Sequence, residues 1–304
     1  MKLGLFTSAF PGSSLEEIAA WAAGQGFERL EVACWPPAKA DRRYAGVTHI
    51  DAASLDSAKA AGMRRMLSGL GLSISSLGYY PNPLDPDEAV SGACVAHLRK
   101  VIEAASLLEV PVVGTFVGRD WHRGLEDNLE AFARVWPPIV RYAKELGIKI
   151  AIENCPMLFS ADEWPGGKNL ATSPAIWERM WEIIPDSNFG LNLDPSHLVW
   201  QMIDSERVVR DFAPRIFHVH AKDLMIDREG LYRNGILSLG MGWQVPRLPG
   251  LGDMDWGRFI AALYRSGYDG TVSIEHEDRS FEGSEELVRR GFLIARDNLR
   301  PWIH

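Results

Sequence analysis

The sequence predicts an α/β fold, an eight-stranded (β/α)8 barrel, on three observations. Short β-branched or apolar runs alternate with longer segments of helical periodicity along the 304 residues, eight such pairs can be counted, and no linker or low-complexity run marks a boundary. The strand candidates are Lys2 to Ala9, Arg29 to Cys34, Ser73 to Tyr80, Val110 to Gly118, Lys149 to Cys155, Phe189 to Asp194, Ile216 to Lys222 and Thr271 to Glu277. Strands this apolar, each separated from the next by a helix, are buried on both faces, which requires parallel pairing. Eight βα units in ~250 to 300 residues close into a barrel. An open doubly wound sheet is the rival, but the first strand lacks a GxGxxG turn and eight units account for the length without a second domain. Residues 1–304 are therefore read as one barrel domain.

The connecting elements have legible ends. The first helix opens at Ser13-Ser14-Leu15-Glu16-Glu17, where a serine followed by acids satisfies orphan N–H groups and complements the helix dipole, and it stops near Gly24 and Gly26. The fourth runs roughly from Leu125 to Leu146 and ends at Gly147, with Pro137-Pro138 expected to kink or split it. Asp255-Trp256 opens the seventh, which ends at Gly267. One long irregular stretch rich in Gly and Pro, Leu224 to Asp253, separates the seventh strand from its helix. A loop of that length over the C-terminal mouth is expected to act as a lid or substrate wall.

With 46% hydrophobic residues the chain can bury a large core, which excludes a disulfide miniprotein. A formal net charge of −8 argues against nucleic acid and anionic membrane as partners. Cys34, Cys94 and Cys155 are odd in number and form no CxxC pair, which fits a reducing compartment, so a cytoplasmic location is expected. The start MKLGLFTSAF has one basic residue and too short an apolar run for a signal peptide, so none is expected there, and no apolar run reaches ~18 residues.

The last four strands end alike. IAIENC carries Glu153, LNLDPSH carries Asp194 and His197, FHVHAKD carries His218 and His220, and VSIEHED carries Glu275. A barrel brings such ends to one mouth, where converging carboxylates repel unless a cation lies between them. Three carboxylates and one imidazole suit one divalent ion, Mn²⁺ first, with Mg²⁺ or Co²⁺ as alternatives.

On the motifs IAIEN, LNLDPSH, HVHAKD, PGLGDMDW and SIEHED the sequence resembles the xylose isomerase-like barrels, in particular the sugar phosphate isomerase/epimerase group that includes ketose 3-epimerases. The resemblance implies that Glu153, Asp194, His220 and Glu275 are metal ligands, that Glu153 and Glu275 double as the catalytic acid/base pair, and that His197 binds substrate. It implies a metal-dependent isomerase or epimerase working on a sugar through a metal-stabilised enediolate, the proton leaving one face and returning on the other or to the adjacent carbon. A homo-oligomer, dimer or tetramer, is expected with it.

Further contacts are read from position. His218, two residues before His220, points to the same side but deeper in the barrel and is expected to support the ligands, as is Asn192, which shares a face with Asp194. Lys222 continues that face to the mouth, where it would hold a hydroxyl or phosphate unless it pairs with Asp223 or Glu277. Glu31, Arg119, Trp121 and His122 follow strand ends and are expected to touch substrate, and Trp35, Trp200 and Trp243 are placed to stack on a sugar. A lyase acting on a keto-sugar or 3-keto-glycoside would use the same base and metal. An endonuclease IV-like hydrolase needs extra histidines at strand ends three and four, which GYYPNP lacks, and a non-catalytic sugar binder would not need both glutamates.

Overall fold

The structure is a computed structural model that describes residues 1–37, 45–157, 167–238 and 242–304. Eight parallel strands close on themselves: β1 (Lys2–Phe6), β2 (Arg29–Ala33), β3 (Ser73–Gly78), β4 (Val112–Thr115), β5 (Lys149–Glu153), β6 (Phe189–Leu193), β7 (Ile216–Ala221) and β10 (Thr271–Ile274). Each lies inside its predicted run, and β10 pairs with β1 to complete the ring. Alternation sets the two layers. Ile150 and Ile152, Leu191 and Leu193, Val219, Val272 and Ile274 belong to the apolar core, while Glu153, Asn192, His218, His220 and Ser273 form buried polar positions between them.

Two register shifts bear on the site. Between β2 and β3 the pairing moves from Leu30 with Ile74 to Glu31 with Ser76, so that Ser75 is extra. Between β6 and β7 it moves from Leu191 with Ile216 to Asn192 with His218, so that Phe217 is extra. Such bulges re-aim side chains next to functional sites.

The helices are α1 (Leu15–Gly24), α2 (Ser57–Gly69), α3 (Glu88–Leu108), α4 (Leu125–Glu145), α5 (Pro174–Ile183), α6 (Ser196–Trp200), α7 (Ser205–Phe212), α8 (Arg228–Ser238), α9 (Trp256–Arg265) and α10 (Glu285–Leu299). α1 opens with the expected serine, Ser14, in a reciprocal capping box with Glu17, and α9 opens on Asp255, whose side chain accepts from the Arg258 N–H. α4 is not split at Pro137-Pro138. Its apolar face, with Phe132, Trp136, Ile139 and Val140 fully buried, holds the helix together across the missing N–H donors.

The stretch from Leu224 to Asp253 is more regular than expected. Its ends pair as an antiparallel ribbon, β8 (Asp223–Ile226) with β9 (Gln244–Arg247), and α8 lies between them; residues 239–241 lie outside the described residues. The buried Asp223 carboxylate anchors this excursion, accepting from the N–H groups of Leu224 (2.8 Å), Gly250 (2.9 Å) and Met254 (3.1 Å) and from Trp256 Nε1 (2.9 Å). The glycine at 252 is required by that cluster, because a Cβ there would collide with the Asp223 carboxylate. Among the described residues no helix is long and apolar enough to cross a membrane.

Candidate active and metal site

Two buried asparagines splice the strand ends at the mouth. The side chain of Asn154, next to Glu153, accepts from the Asp194 N–H (2.7 Å) and donates to its carbonyl (2.9 Å), locking the ends of β5 and β6 together. Asn169 accepts from the N–H groups of Val117 (3.1 Å) and Gly118 (3.2 Å) and donates to the Glu153 carbonyl (2.9 Å), tying β4 to β5. Asp194 Oδ1 then accepts from the Ser196 N–H at 2.9 Å, starting the short α6. That turn delivers His197, with Nε2 3.1 Å from Asp194 Oδ2 and 3.6 Å from Glu153 Oε1.

Glu153, Asp194, His220 and Glu275 converge, each offering one ligand atom, with those atoms all within 4.8 Å of one another. His220 Nδ1 lies 3.3 Å from Glu275 Oε2 and 3.6 Å from Glu153 Oε2 and is buried without a hydrogen-bond partner. A buried nitrogen beside two carboxylates, with a third in the same cluster, fits a divalent cation. A cation of the chain's own also stands there. Lys222 Nζ is 2.7 Å from Glu275, 3.0 Å from Asp194, 3.3 Å from Glu277 and 3.9 Å from Glu153.

The charges hold one another. Burial alone would raise the Asp194 carboxyl, yet Lys222 and His197 keep it well below the usual carboxylate range. Glu153 is likewise lowered against its burial, by His197 and His220. Lys222 is pushed well above its ordinary value: burial opposes this, and the surrounding carboxylates, Asp194 first, outweigh it. The same contest raises His220, through Glu31 and Glu275, and His197, through Cys155 and Asp194.

Behind His220 lies a second, wholly buried set of polar groups. His220 Nε2 is 2.8 Å from Glu31 Oε2, Tyr80 donates its hydroxyl to Glu31 Oε1 at 2.5 Å, and Asn192 Nδ2 donates to the Tyr80 oxygen at 2.9 Å; Asn192 Nδ2 and the Tyr80 oxygen lie 3.0 and 3.4 Å from His220 Nε2. Asn192 Oδ1 faces His218 Nδ1 at 3.0 Å, and His218 Nε2 faces Ser75 Oγ at 3.1 Å. Burial pushes His218 down to about 4, so it is neutral at pH 7, whereas Glu31 stays lowered despite burial because His220 and His218 face it.

In front of the cluster opens a cavity of about 720 Å³. Glu153, His197, Lys222 and Glu275 form its polar floor; Trp35, Phe116, Met157 and Trp200 make apolar walls, and Leu224, Val245 and Pro246 bring the β8–β9 ribbon over one side.

The family model for the xylose isomerase-like TIM barrel matches residues 19–297. The chain belongs to this family. A curated relative, the uncharacterized protein YfiH of Bacillus subtilis (strain 168), is 27% identical over 311 residues, covering 91% of this chain and 93% of its own. Among solved structures, D-psicose 3-epimerase in the presence of D-fructose superposes with a TM-score of 0.68 at 18% identity over 98% of this chain and 99% of its own. The probable 3-DHS dehydratase AsbF of Bacillus anthracis superposes with a TM-score of 0.71 at 16% identity over 99% of each chain. At these identities the structures establish the shared barrel.

Within this family barrel most of the predicted site residues meet. Glu153, His197, Lys222 and Glu275 share the floor, the fully buried Asp194 and His220 join them in one cluster, and His218 and Asn192 lie behind His220. Glu31 is placed otherwise. It is fully buried behind His220, its two oxygens face Tyr80 and His220, and it is not among the described residues that line the cavity. Arg119, Trp121 and His122 are not among the described lining residues; Trp121 instead packs beneath Lys168 Nζ, 4.3 Å from the ring centroid. Trp243 is buried against Trp200 under the ribbon. Sequence reasoning missed Tyr80, Cys155 and the two splicing asparagines. Two small residues were the available signal for Tyr80: a Cβ on Gly114 would collide with its hydroxyl, and one on Gly78 would lie 2.9 Å from Glu31 Oε1.

Proposed function

We propose that this protein is a divalent-metal-dependent isomerase or epimerase of sugars, working by proton transfer at a carbon next to a carbonyl. The observation that carries this reading is the pair Glu153 and Glu275, delivered from β5 and β10 to one polar floor with His220 Nδ1 within 3.6 Å of both. Glu153, Asp194, His220 and Glu275 would hold the ion, with Mn²⁺ the first choice for three oxygens and one nitrogen. When bound, such an ion supplies a fixed positive charge that stabilises the negative oxygen developing as the carbon loses its proton.

The protein's own groups do the rest. One glutamate takes a proton from the carbon and the other returns one, to the opposite face for epimerisation or to the neighbouring carbon for aldose–ketose exchange. Lys222 and His197 bring N–H donors to substrate oxygens beside that carbon, and Trp35 and Trp200 offer apolar faces to a sugar ring. One similar fold carries an activity of this kind in its name, D-psicose 3-epimerase. The second reading, β-elimination from a keto-sugar or 3-keto-glycoside with the same glutamates, is supported by the β8–β9 ribbon that walls the cavity and by the probable dehydratase among the similar folds.

One experiment tests both. Protein loaded with Mn²⁺ or Mg²⁺ is held in D2O with free ketoses, aldoses, their phosphates and 3-keto-glycosides, beside Glu153→Gln. Deuterium next to a carbonyl with a new epimer or isomer, and none in the variant, is the expected result. Loss of a leaving group makes the enzyme a lyase, and absence of exchange across the panel overturns the proposal.

A further inference from the structure

We infer that Glu31 is a positioning residue for His220, holding a proton on Nε2 so that Nδ1 is the nitrogen given to the metal-binding cluster, a role that rests on the metal reading above. The direction of the hydrogen bonds follows from the donor inventory alone. An ionised carboxylate only accepts, so Tyr80 must give its single proton to Oε1, and His220 Nε2, 2.8 Å from Oε2, must donate. With its proton spent, Tyr80 accepts from the Asn192 amide; this leaves Asn192 Oδ1 toward His218 Nδ1, which therefore carries hydrogen, while the Ser75 hydroxyl stands between His218 Nε2 (3.1 Å) and the Leu30 carbonyl (3.3 Å). The two bonds that the Glu31 carboxylate accepts have one allowed direction, and one of them comes from His220.

Features of the fold serve this chain. The register shift at Leu30/Glu31 leaves Ser75 extra on β3, and the shift at Leu191/Asn192 sets Asn192 opposite His218. Gly114 and Gly78 leave the room that Tyr80 and Glu31 occupy. Phe6 stacks on the His220 ring at 5.8 Å and 24°, fixing its plane. A carboxylate behind a metal-bound histidine sets its tautomer and raises its basicity. Glu31, His218 and His220 also group closely enough to suggest a second ion. That alternative needs His218 Nδ1 or His220 Nε2 bare, and both are committed as donors.

The test titrates Mn²⁺ alone into wild type, Glu31→Gln and Tyr80→Phe by calorimetry. The proton on His220 is read from long-range ¹⁵N–¹H spectra of the Zn²⁺-loaded protein, and folding of each variant is checked by thermal melting. Glu31→Gln should bind Mn²⁺ about 10- to 100-fold more weakly and Tyr80→Phe less so, with turnover of Glu31→Gln recovering at saturating Mn²⁺. Wild-type His220 should show hydrogen on Nε2. Unchanged affinity in Glu31→Gln, or hydrogen on Nδ1 in the loaded wild type, overturns the role of Glu31. Two ions per wild-type chain with one lost in Glu31→Gln makes Glu31 a ligand instead, and a wild type that takes up no Mn²⁺ removes the metal reading itself. Tyr80→Phe keeps the Glu31–His220 contact, so it still reports if Glu31→Gln fails to fold.

Discussion

Lys222 is the residue on which the site's electrostatics turn, because its ammonium neutralises carboxylates that would otherwise repel one another in a buried cluster. Removing one partner of such a buried set costs about 3–5 kcal/mol. Lys222→Met should therefore lower the melting temperature of the metal-free protein by several degrees, and added Mn²⁺ should restore most of the loss; a metal-free variant that melts with the wild type would refute this. Glu153→Gln and Glu275→Gln, assayed at saturating metal, should each slow deuterium wash-in about 10²- to 10⁴-fold, the usual worth of a general acid or base. A variant exchanging at the wild-type rate would take that glutamate out of the proton path. These carboxylates were legible because each interrupts an apolar strand at its end. Glu31 satisfied the same pattern and yet faces away from the cavity, since periodicity reports which face a side chain takes but not what stands across from it.

At the level of elements, the excursion between β7 and α9 is held to the barrel through Asp223, whose four accepted hydrogen bonds converge from β8, the following turn and α9. Asp223→Ala orphans those donors, at about 1–3 kcal/mol for each buried group left unsatisfied. The expected outcome is faster proteolysis between 224 and 253 and a raised KM with a smaller change in kcat, because Val245 and Pro246 wall the cavity without reaching its floor. Equal cleavage rates in variant and wild type would show that the ribbon does not depend on Asp223. From sequence this region reads as an irregular loop because its Gly and Pro content hides two four-residue strands that pair only with each other. The prolines of α4 mislead in the opposite direction: tertiary burial of Phe132 and Trp136 outweighs a local breaker signal.

For the whole molecule, metal uptake is coupled to protons. Glu31 and Glu275 raise His220 against the effect of its burial, which favours a second ring proton, on Nδ1, in the metal-free protein, and that proton must leave before the nitrogen can bind an ion. Mn²⁺ affinity should then rise with pH, by up to about tenfold per unit, and level off once pH exceeds the raised value; calorimetry in buffers of different ionisation heat should find about one proton released per ion. Uptake independent of both pH and buffer would contradict the assignment of His220 as a ligand. By itself the sequence determined the eight alternating units, the apolar faces of the strands and the polar residues at the ends of the last four. These follow from local periodicity, which sets element type and side-chain direction. Only the closed barrel decided that Lys222 sits among the candidate ligands, that Glu31 lies behind His220 and that Tyr80 joins them. Those juxtapositions depend on ring closure and on two one-residue register shifts, which act between strands far apart in the chain and leave no mark in any single segment.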